Sequence, residues 1–468
     1  MEDNNRKRKL GLTPNSETTD CPYLDTIQRS LLDFDFEPSC SVSLEASPHV
    51  YGCLVCGKFF RGRGPQTPAS THSVDEGHYV YVHLYKGTFY CLPDDYEIHD
   101  SSLSDISAAL HPTFTSQEIS KLDSNTGLAR DLFGRRYLPG YVGLNNLHKT
   151  DCVNAIVQAL VHVRPLRDFF LSRTHQDITI PNKKNKPPHR MSHLAQCFGE
   201  LVRKIWSDKR FKSHVDPHML IQAISEASKK RFRVGLQAEA GEFLSWFLNM
   251  LHIGLGGSRK PGSSIIYKCF QGKVEMTTRQ RKLKNENVEK NIERSSDTEI
   301  GEGGVDEPML ETPEEEVLIE ETTVESNFLQ LTLDIPEKPL FRDDQGGLVI
   351  PQEPLVTVLK KFDGCSFSEA LSKSGVAQRK RYVLRELPPY LILHLSRFNS
   401  NRYSREKNPT IVAFPVKNLD LGAYTFPKSG KEIPPSEEEV RQMGVRSITH
   451  DPTLFWSLYF LTFFSFPG

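Results

Sequence analysis

The sequence has almost no net charge and no apolar run near its start. Its 468 residues carry 58 Lys and Arg against 59 Asp and Glu. Such balanced charge does not favour a nucleic-acid-binding protein, so no direct nucleic-acid site is predicted. The first residues show no secretory signal, and the nine cysteines are an odd number. Both features favour a reducing compartment, in which thiols are buried or bind metal.

The two ends of the chain differ in polarity. Residues 1–20 are polar and include the basic run 6–9, which predicts a disordered tail that serves either as a nuclear import signal or simply as a solvated end. Residues 454–466 are mostly Phe, Leu, Tyr and Trp. A membrane span needs about 20 apolar residues, so this run is too short and no membrane association is predicted.

Cysteine and histidine are concentrated in residues 21–101. Cys53 and Cys56 form a Cys-x-x-Cys pair, and His72 and His78 follow. Two thiolates and two imidazoles at these spacings suit tetrahedral zinc, and a unit this small gains stability from a bound metal. The pattern predicts one structural zinc on these four residues. A redox-active or merely structural cysteine pair is the alternative.

Residues 143–160 read as a polar loop followed by a helix. Residues 143–150 are polar and contain glycine, whereas the apolar residues after Cys152 recur at helical spacing. Asp151 lies at the junction, where an N-cap residue is expected. A cysteine at that junction would be a good nucleophile, because a helix N-terminus lowers the pKa of a thiol. The sequence has Asp151 there instead.

This segment resembles the cysteine box of the ubiquitin-specific proteases, whose usual form is GLxNLGNTCYMNSxLQ. The alignment needs no gap and matches Gly143, Leu144, Asn146, Leu147, Thr150, Asn154 and Gln158. It places the family nucleophile on Asp151, the family glycine on His148 and the oxyanion-hole asparagine on Asn146. Cys152 is one residue further on, a turn of about 100° around the helix axis. Cys152 is therefore predicted to be a buried thiol, with a catalytic Cys152 as the alternative.

The cysteine-rich unit is similar to the UBP-type zinc finger that often precedes such protease domains. The resemblance rests on Cys40, the CLVCG turn from Cys53, His72, Gly77, His78 and Cys91. Arg61 and Pro68 stand at two ligand positions of the multi-zinc members, so one zinc is expected and Cys40 and Cys91 become spare thiols. Ligation by either of them is the alternative. Gly64 replaces an aromatic residue of the family's ubiquitin-tail pocket, which argues against free-ubiquitin binding.

The resemblance continues through residues 237–255, 381–398 and 408–421. It implies an α+β protein in which a UBP-type zinc finger precedes a papain-like ubiquitin-specific-protease fold. Residues 265–274 read as a strand. The expected parts are a disordered basic tail at 1–20, the finger at 21–101, a connector at 102–137, the protease-like domain at 138–421 with a disordered insertion at 279–325, and a divergent tail at 422–468.

The family's histidine box, which supplies the general base, has no counterpart in the sequence, and His450 lies in an unrelated context. The protease-like fold is therefore expected to be incomplete at its C-terminal side. Cysteine-protease chemistry needs a thiolate, a base and an oxyanion site, and only Asn146 is retained. The resemblance implies a pseudoenzyme, with Asp151 and Asn146 as degenerate positions.

A single finger joined to a protease domain without its nucleophile is most similar to the spliceosomal branch of the family. That branch implies a nuclear scaffold in pre-mRNA splicing, with tri-snRNP proteins as partners and at most weak binding of ubiquitin or a ubiquitin-like protein. Two other functions stay open on the sequence alone. One is an active deubiquitinase that uses Cys152, and the other is a non-catalytic adaptor that binds ubiquitin.

Overall fold

The computed structural model describes residues 21–92, 94–181, 188–283, 317–337, 341–342, 347–371, 377–400 and 405–425. They form two compact units, an N-terminal unit of residues 21–266 and a C-terminal unit of residues 267–425. The predicted basic tail, His450 and residues 426–468 lie outside this part of the chain. None of the described helices combines the length and the apolar character that a bilayer crossing requires.

An antiparallel five-stranded sheet of order β2–β1–β3–β4–β5 forms the centre of the finger. Its elements are β1 Val50–Cys53, β2 Phe59–Arg61, α1 Pro68–Asp75, β3 Val80–His83, β4 Phe89–Cys91 and β5 Tyr96–Ile98. Side chains alternate between the two faces, as the period of a strand requires. Val50 and Val82 enter one apolar cluster, whereas Tyr51 and Tyr81 enter another on the opposite face. The sheet is therefore covered on both sides.

The finger core extends beyond its predicted end at residue 101. Leu103 and helix α2, Ser104–Leu110, place Leu103, Ile106 and Leu110 in the same apolar cluster as Val50. The first part of the predicted connector is thus part of the finger. The connector continues with α3 Ser116–Lys121 and a hairpin of β6 Ala129–Arg130 and β7 Arg136–Tyr137.

Helices packed around an aromatic core make up the rest of the N-terminal unit. The elements are β8 Gly143–Leu144, α4 Asp151–Leu160, α5 Arg164–Leu171, β9 Thr179–Ile180, β10 His189–Arg190, α6 His193–Trp206, β11 His214–Val215, α7 His218–Ala227 and α8 Ala240–Gly254. The apolar residues Phe243, Leu244, Phe247 and Leu251 of α8 are all buried. Phe198 lies between Phe170 and Phe247, with ring centroids 5.2 and 5.5 Å away.

Residues 33–37 join the finger to these helices. The Nζ atom of Lys204 is 2.9 Å from Asp35 Oδ1, and Lys212 pairs with Asp33. The backbone N–H of Asp216 donates to Asp35 Oδ2 at 3.0 Å. Burial alone would raise the pKa of Asp35, but Lys204 and this N–H hold it below its ordinary value. These contacts explain why the boundary between units lies near residue 266, whereas the sequence predicted one near 138.

A four-stranded sheet of order β13–β12–β19–β18 belongs to the C-terminal unit. The strands are β12 Gly272–Leu283, β13 Val317–Phe328, β18 Ser368–Leu371 and β19 Ala377–Glu386. β12 and β13 pair along their whole length, from Gly272 opposite Phe328 to Leu283 opposite Val317. The prediction of disorder was therefore wrong for residues 279–283 and 317–325. Residues 284–316 lie outside the described part.

The run predicted as a strand at 265–274 begins instead as helix α9, Ile265–Phe270. Its buried residues Ile266, Cys269 and Phe270 have the i, i+3, i+4 spacing of a helix. A short apolar run with β-branched residues fits either element, which is why the sequence misled. The remaining elements are β14 Leu331–Asp334, β15 Phe341–Arg342, β16 Leu348–Val349, β17 Gln352–Pro354, α10 Leu355–Leu359, β20 Leu393–Ser396, β21 Phe398–Ser400, β22 Arg405–Lys407 and β23 Ile411–Ala413.

The described end of the chain belongs to the core of the C-terminal unit. Leu421 and Tyr424 are buried in the same apolar cluster as Leu355 and Leu393. The Tyr424 hydroxyl donates to the carbonyl of Val356 at 3.3 Å. Packing thus continues past Leu421, where the predicted protease-like domain ended.

Candidate zinc centre and degenerate protease site

Cys53, Cys56, His72 and His78 come together at one end of the finger sheet. Their donor atoms all lie within 4.8 Å of one another. Cys56 Sγ is 3.4 Å from His72 Nε2, and His78 Nδ1 is 3.1 Å from the same nitrogen. Tetrahedral zinc with its usual bond lengths separates such donors by about 3.3–3.8 Å. The geometry therefore fits a single zinc ion bound by these four residues.

Local structure explains how the chain brings the four donors together. Cys53 ends β1, and the turn after it reaches Cys56 because Gly57 adopts a positive φ of 73°. His72 lies in the last turn of α1, and His78 immediately precedes β3. The Phe60 ring stacks on His72 with centroids 4.1 Å apart, which fixes the plane of the imidazole.

The electrostatics of Cys56 also suits a cation, whereas the hydrogen bond to Cys56 and burial raise the pKa of Cys53 above the ordinary thiol value. A hydrogen bond from Cys53 lowers the pKa of Cys56 well below the ordinary thiol value, and the nearby His78 and His72 rings lower it further. A thiol must lose its proton to bind zinc, so a low pKa favours binding near neutral pH.

The other finger cysteines have different surroundings. Cys40 is fully buried, and its sulfur accepts a hydrogen bond from the backbone N–H of Arg61 at 3.3 Å. Cys91 is fully buried in the apolar cluster that also contains Cys21. Among the described residues, neither Cys40 nor Cys91 belongs to a group of potential ligands.

Three carboxylates, those of Asp33, Asp35 and Asp216, also converge within 4.8 Å of one another. Protein groups already occupy them: Lys204 pairs with Asp35, Lys212 with Asp33, and the Asn145 amide donates to Asp216. The cluster is the junction between finger and helices and offers no position that needs a metal.

The loop before α4 differs in one detail from the sequence prediction. The helix starts at Asp151, and its N-cap residue is Thr150, which makes no side-chain capping bond. The Thr150 hydroxyl instead accepts from the backbone N–H of Leu147 at 2.9 Å and donates to Asn146 Oδ1 at 3.1 Å. Thr150 is buried and Asp151 is exposed. The N-cap assignment of Asp151 was therefore off by one residue.

Motif residues that resemble the family tie α4 to the loop before it. The amide of Asn154 donates to the carbonyl of Asn145 at 2.9 Å, and the amide of Gln158 donates to the carbonyl of Val142 at 2.7 Å. Asn146 Oδ1 accepts from the backbone N–H of Thr150 at 3.0 Å. Asn146 is otherwise exposed, so its amide N–H groups can reach a ligand.

His148 replaces the family glycine without changing the kind of backbone conformation that glycine favours. His148 has a φ of 72°, and the next residue, Lys149, has a φ of 58°. Side chains other than glycine are strained in this region, at about 1–2 kcal/mol per residue. The His148 carbonyl accepts from the N–H of Gly235 at 3.0 Å, which helps to fix the turn.

Asp151 and Cys152 point in different directions, as the helical rotation predicted. Asp151 is exposed, and its carboxylate accepts from the Gln237 amide at 3.3 Å. Cys152 is only 6% exposed. Burial, together with the negative charges of Asp151 and Glu239, raises the pKa of Cys152 to about 12. The Cys152 thiol is thus protonated at neutral pH and turned into the core.

The role of Gln237 was not predicted from the sequence. It is 86 residues from Asp151, so spacing alone could not pair them. One indication of this contact was present in the sequence. Gln237 begins the segment 237–255, which resembles a segment of the family that packs against the nucleophile helix.

Two family profiles match the chain. Residues 142–461 match "Ubiquitin carboxyl-terminal hydrolase", and residues 40–103 match "Zn-finger in ubiquitin-hydrolases and other protein". The first match extends 40 residues past Leu421, where the motif comparison ended, and the second starts 19 residues after the predicted start of the finger.

Curated relatives match most of the chain. Ubiquitin carboxyl-terminal hydrolase 39 of Homo sapiens is 44% identical over 437 residues, which cover 92% of this chain and 71% of the relative. The probable mRNA-splicing protein ubp10 of Schizosaccharomyces pombe is 38% identical, with coverages of 92% and 78%. The pre-mRNA-splicing factor SAD1 of Saccharomyces cerevisiae is 29% identical, with coverages of 85% and 77%.

A solved structure shares the fold. The crystal structure of an essential yeast splicing factor superposes with a TM-score of 0.57 at 26% identity, covering 84% of this chain and 82% of that one. The predicted combination of a UBP-type finger and a ubiquitin-specific-protease fold is confirmed.

Proposed function

The chain belongs to the ubiquitin carboxyl-terminal hydrolase family, and from this we propose that it is a catalytically inactive member that acts as a scaffold in pre-mRNA splicing. Two relatives that are named as splicing proteins support the role in splicing, because their alignments cover more than four fifths of this chain. A nuclear location and partners among the tri-snRNP proteins follow from the same proposal.

One observation carries the proposal of inactivity. The first residue of α4 is an exposed aspartate, and the thiol beside it is buried with a pKa of about 12. At pH 8 a thiol with that pKa is thiolate in only about one molecule in 10⁴. Neither Asp151 nor Cys152 therefore offers the exposed thiolate that an acyl-transfer nucleophile requires.

Hydrolysis of a ubiquitin C-terminal fluorogenic amide tests this part. The wild type, Asp151→Cys and Cys152→Ala are compared with an active ubiquitin-specific protease in the same assay. We expect all three to show only background turnover. Asp151→Cys restores an exposed thiol but no identified base, and single members of a catalytic unit recover little activity alone.

Two outcomes would contradict the proposal. Wild-type turnover that disappears in Cys152→Ala would identify an active deubiquitinase that uses Cys152. Turnover by Asp151→Cys would reveal a general base that acts on the thiol at position 151. Rapid alkylation of the new thiol by iodoacetamide, with Cys152 unreacted, serves as the control that position 151 is accessible.

The splicing role is tested in an extract depleted of its endogenous relative. We expect the added chain to restore splicing and to co-purify with small nuclear RNAs. Cys152→Ala should restore splicing equally well, because the thiol has no chemical role. Failure of the chain to restore splicing would contradict the proposed scaffold role. Loss of splicing in Cys152→Ala would contradict the proposal that the chain is catalytically inactive.

For the finger we propose one zinc ion per chain on Cys53, Cys56, His72 and His78. The close approach of their four donor atoms supports this count. The metal would hold β1, α1 and the start of β3 together, and it has a structural role in this proposal. A ubiquitin-binding adaptor remains a different outcome, which titration of the full chain with ubiquitin would detect.

A further inference from the structure

An apolar and cationic hairpin tip projects from the connector of the N-terminal unit. The tip consists of residues 128–136, between and around strands β6 and β7. Leu128, Leu132 and Phe133 are 56%, 44% and 62% exposed, respectively. Leu132 and Phe133 are adjacent on the turn, Leu128 directly precedes β6, and all three are exposed to water in the described part of the chain. Exposed apolar side chains of this kind are a mark of interaction surfaces.

Hydrogen bonds within the turn hold the backbone of the exposed tip. The buried carboxylate of Asp131 accepts from the backbone N–H groups of Phe133 and Arg135 at 3.0 and 2.8 Å. The N–H of Gly134 donates to the Asp131 carbonyl at 3.1 Å, and Gly134 has the positive φ of 76° that the turn requires. Phe133 is therefore presented in a fixed position, so binding through it loses little conformational entropy.

The arginines of the tip lack acidic partners. Arg130 lies directly opposite Arg136 in the β6–β7 pair, an arrangement that is destabilising for like charges. Among the described residues, Arg130, Arg135 and Arg136 form no ion pair, whereas Arg29, Arg61 and Arg63 of the finger pair with Asp105, Glu45 and Asp95. The carboxylate of Asp131 points into its own turn. Three cations are thus left available for an external anion.

We propose that this hairpin tip docks an acidic segment of a partner protein. Phe133 and Leu132 would enter an apolar depression of the partner, and Arg130, Arg135 and Arg136 would pair with carboxylates around it. Aromatic and arginine side chains are the usual anchors of protein interfaces. The inference does not depend on the splicing role, because it rests on this surface alone.

A protein fits this surface better than a nucleic acid does. Single-stranded nucleic acids bind to several aromatic rings aligned in a basic groove. Here the tip offers one ring beside two leucines, and the Arg135 guanidinium already lies 5.8 Å from the centroid of that ring. The leucine side chains of the tip cannot stack on bases, so they favour an apolar surface of a protein partner.

Site-specific photocrosslinking tests the proposal in the full chain. A benzophenone amino acid replaces Phe133, the zinc-loaded protein is irradiated in whole-cell extract, and the crosslinked peptides are sequenced by mass spectrometry. We expect one dominant protein adduct whose crosslinked segment is rich in Asp, Glu and apolar residues. Arg130→Glu with Arg136→Glu should reduce the adduct by about tenfold or more, because the cations select the partner.

The matched control is Arg259→Glu with Lys260→Glu, which changes the net charge equally at two exposed residues outside the tip. It should leave the adduct unchanged, and the zinc content of all variants should be equal. Adducts that ribonuclease removes would assign the surface to RNA and overturn the proposal. A crosslinked segment without acidic residues would also overturn the proposal, as would equal losses of adduct in both double variants. A benzophenone placed at the exposed Ile253 gives the background, and an adduct at Phe133 no stronger than this background would overturn the proposal too.

Discussion

At the zinc centre all four donor side chains are present, whereas at the start of α4 the family's nucleophile is missing although the contacts around it remain. The two places belong to the same unit but depend on their functional residues in different ways. In the finger, Cys53 ends β1 and His72 lies on α1, so the proposed zinc ion would connect the strand to the helix. Loss of a ligand there would remove the connection itself.

At α4 the residues that shape the loop are different from the residue that would do chemistry. Asn154, Gln158 and Thr150 make the hydrogen bonds that position the helix. Asp151 is exposed and makes one hydrogen bond of 3.3 Å, so little of the fold depends on it. We therefore expect the fold to tolerate a change at Asp151 but not the loss of a proposed zinc ligand.

The largest effect is expected from removal of the metal. Cys53→Ala with His78→Ala, or a chelator, should abolish zinc binding and unfold the finger, since structural zinc contributes about 10–16 kcal/mol of apparent binding energy in small domains. Metal analysis and limited proteolysis within residues 50–98 measure this. Cys40→Ala is the control, with one equivalent of zinc retained. Two equivalents in the wild type, or an intact finger in the double variant, would contradict the single structural ion.

A large effect is also expected in the helices, where packing rather than metal stabilises the fold. Phe247→Ala should lower the free energy of unfolding by about 3–5 kcal/mol, because it removes a fully buried ring. Ile253→Ala lies on the same helix but is 53% exposed, so we expect a change within about 0.5 kcal/mol. Urea unfolding of both variants, followed by circular dichroism, measures the difference. Equal losses would show that α8 is not packed as described.

An intermediate effect is expected at the junction of finger and helices, and it depends on pH. His111 donates to the Leu84 carbonyl at 2.9 Å and stacks on His175 with centroids 3.6 Å apart. Burial, together with the neighbouring His175, lowers the pKa of His111 to about 3. The unfolded chain takes up a proton below about pH 6.5 that the folded chain does not, so the stability falls as the pH falls through this range.

At pH 5 the loss from His111 amounts to about 2 kcal/mol relative to pH 8. His111→Gln should flatten the pH dependence of unfolding by this amount, whereas the exposed His99→Gln should not. Urea unfolding between pH 5 and pH 8 measures both. An unchanged slope in His111→Gln would show that His111 is protonated in the folded protein.

The smallest effect is expected at Asp151. Asp151→Ala removes a carboxylate from the first turn of α4, where such a charge contributes about 0.3–1 kcal/mol. Asp151→Asn should cost less, because the polar contact with Gln237 remains possible. Thermal unfolding measures both variants. A loss above about 2 kcal/mol would mean that Asp151 has a structural role and would weaken the contrast with the zinc ligands.

The convergence of the four proposed zinc ligands could be predicted because they are close in sequence and their residue types are restrictive. Cys53 and Cys56 share one turn, and His72 and His78 follow within a short segment, so spacing alone brings them together. Helix α4 could equally be predicted from its apolar periodicity. In these places local sequence and local structure carry the same information.

Features that depend on distant residues could not be predicted. The pairing of Lys204 with Asp35 spans 169 residues, and it places the finger and the helices in one unit. Strands β12 and β13 were missed because they are rich in charged residues and resemble an insertion. Their pairing is supported by cross-strand contacts such as Arg279 with Glu321, at 2.8 Å, which no single segment reveals.

The long β12–β13 ladder has a further consequence for how the chain tolerates added length. It ends where Leu283 and Val317 stand directly opposite each other, so the chain between them leaves and re-enters the sheet at neighbouring points. The entropy of closing such a segment changes by only about 0.6 kcal/mol for each doubling of its length. We expect the register of the ladder to depend on its own residue pairs and not on the length of the chain that joins Leu283 to Val317. This site is the natural place to insert a fluorescent reporter into the chain.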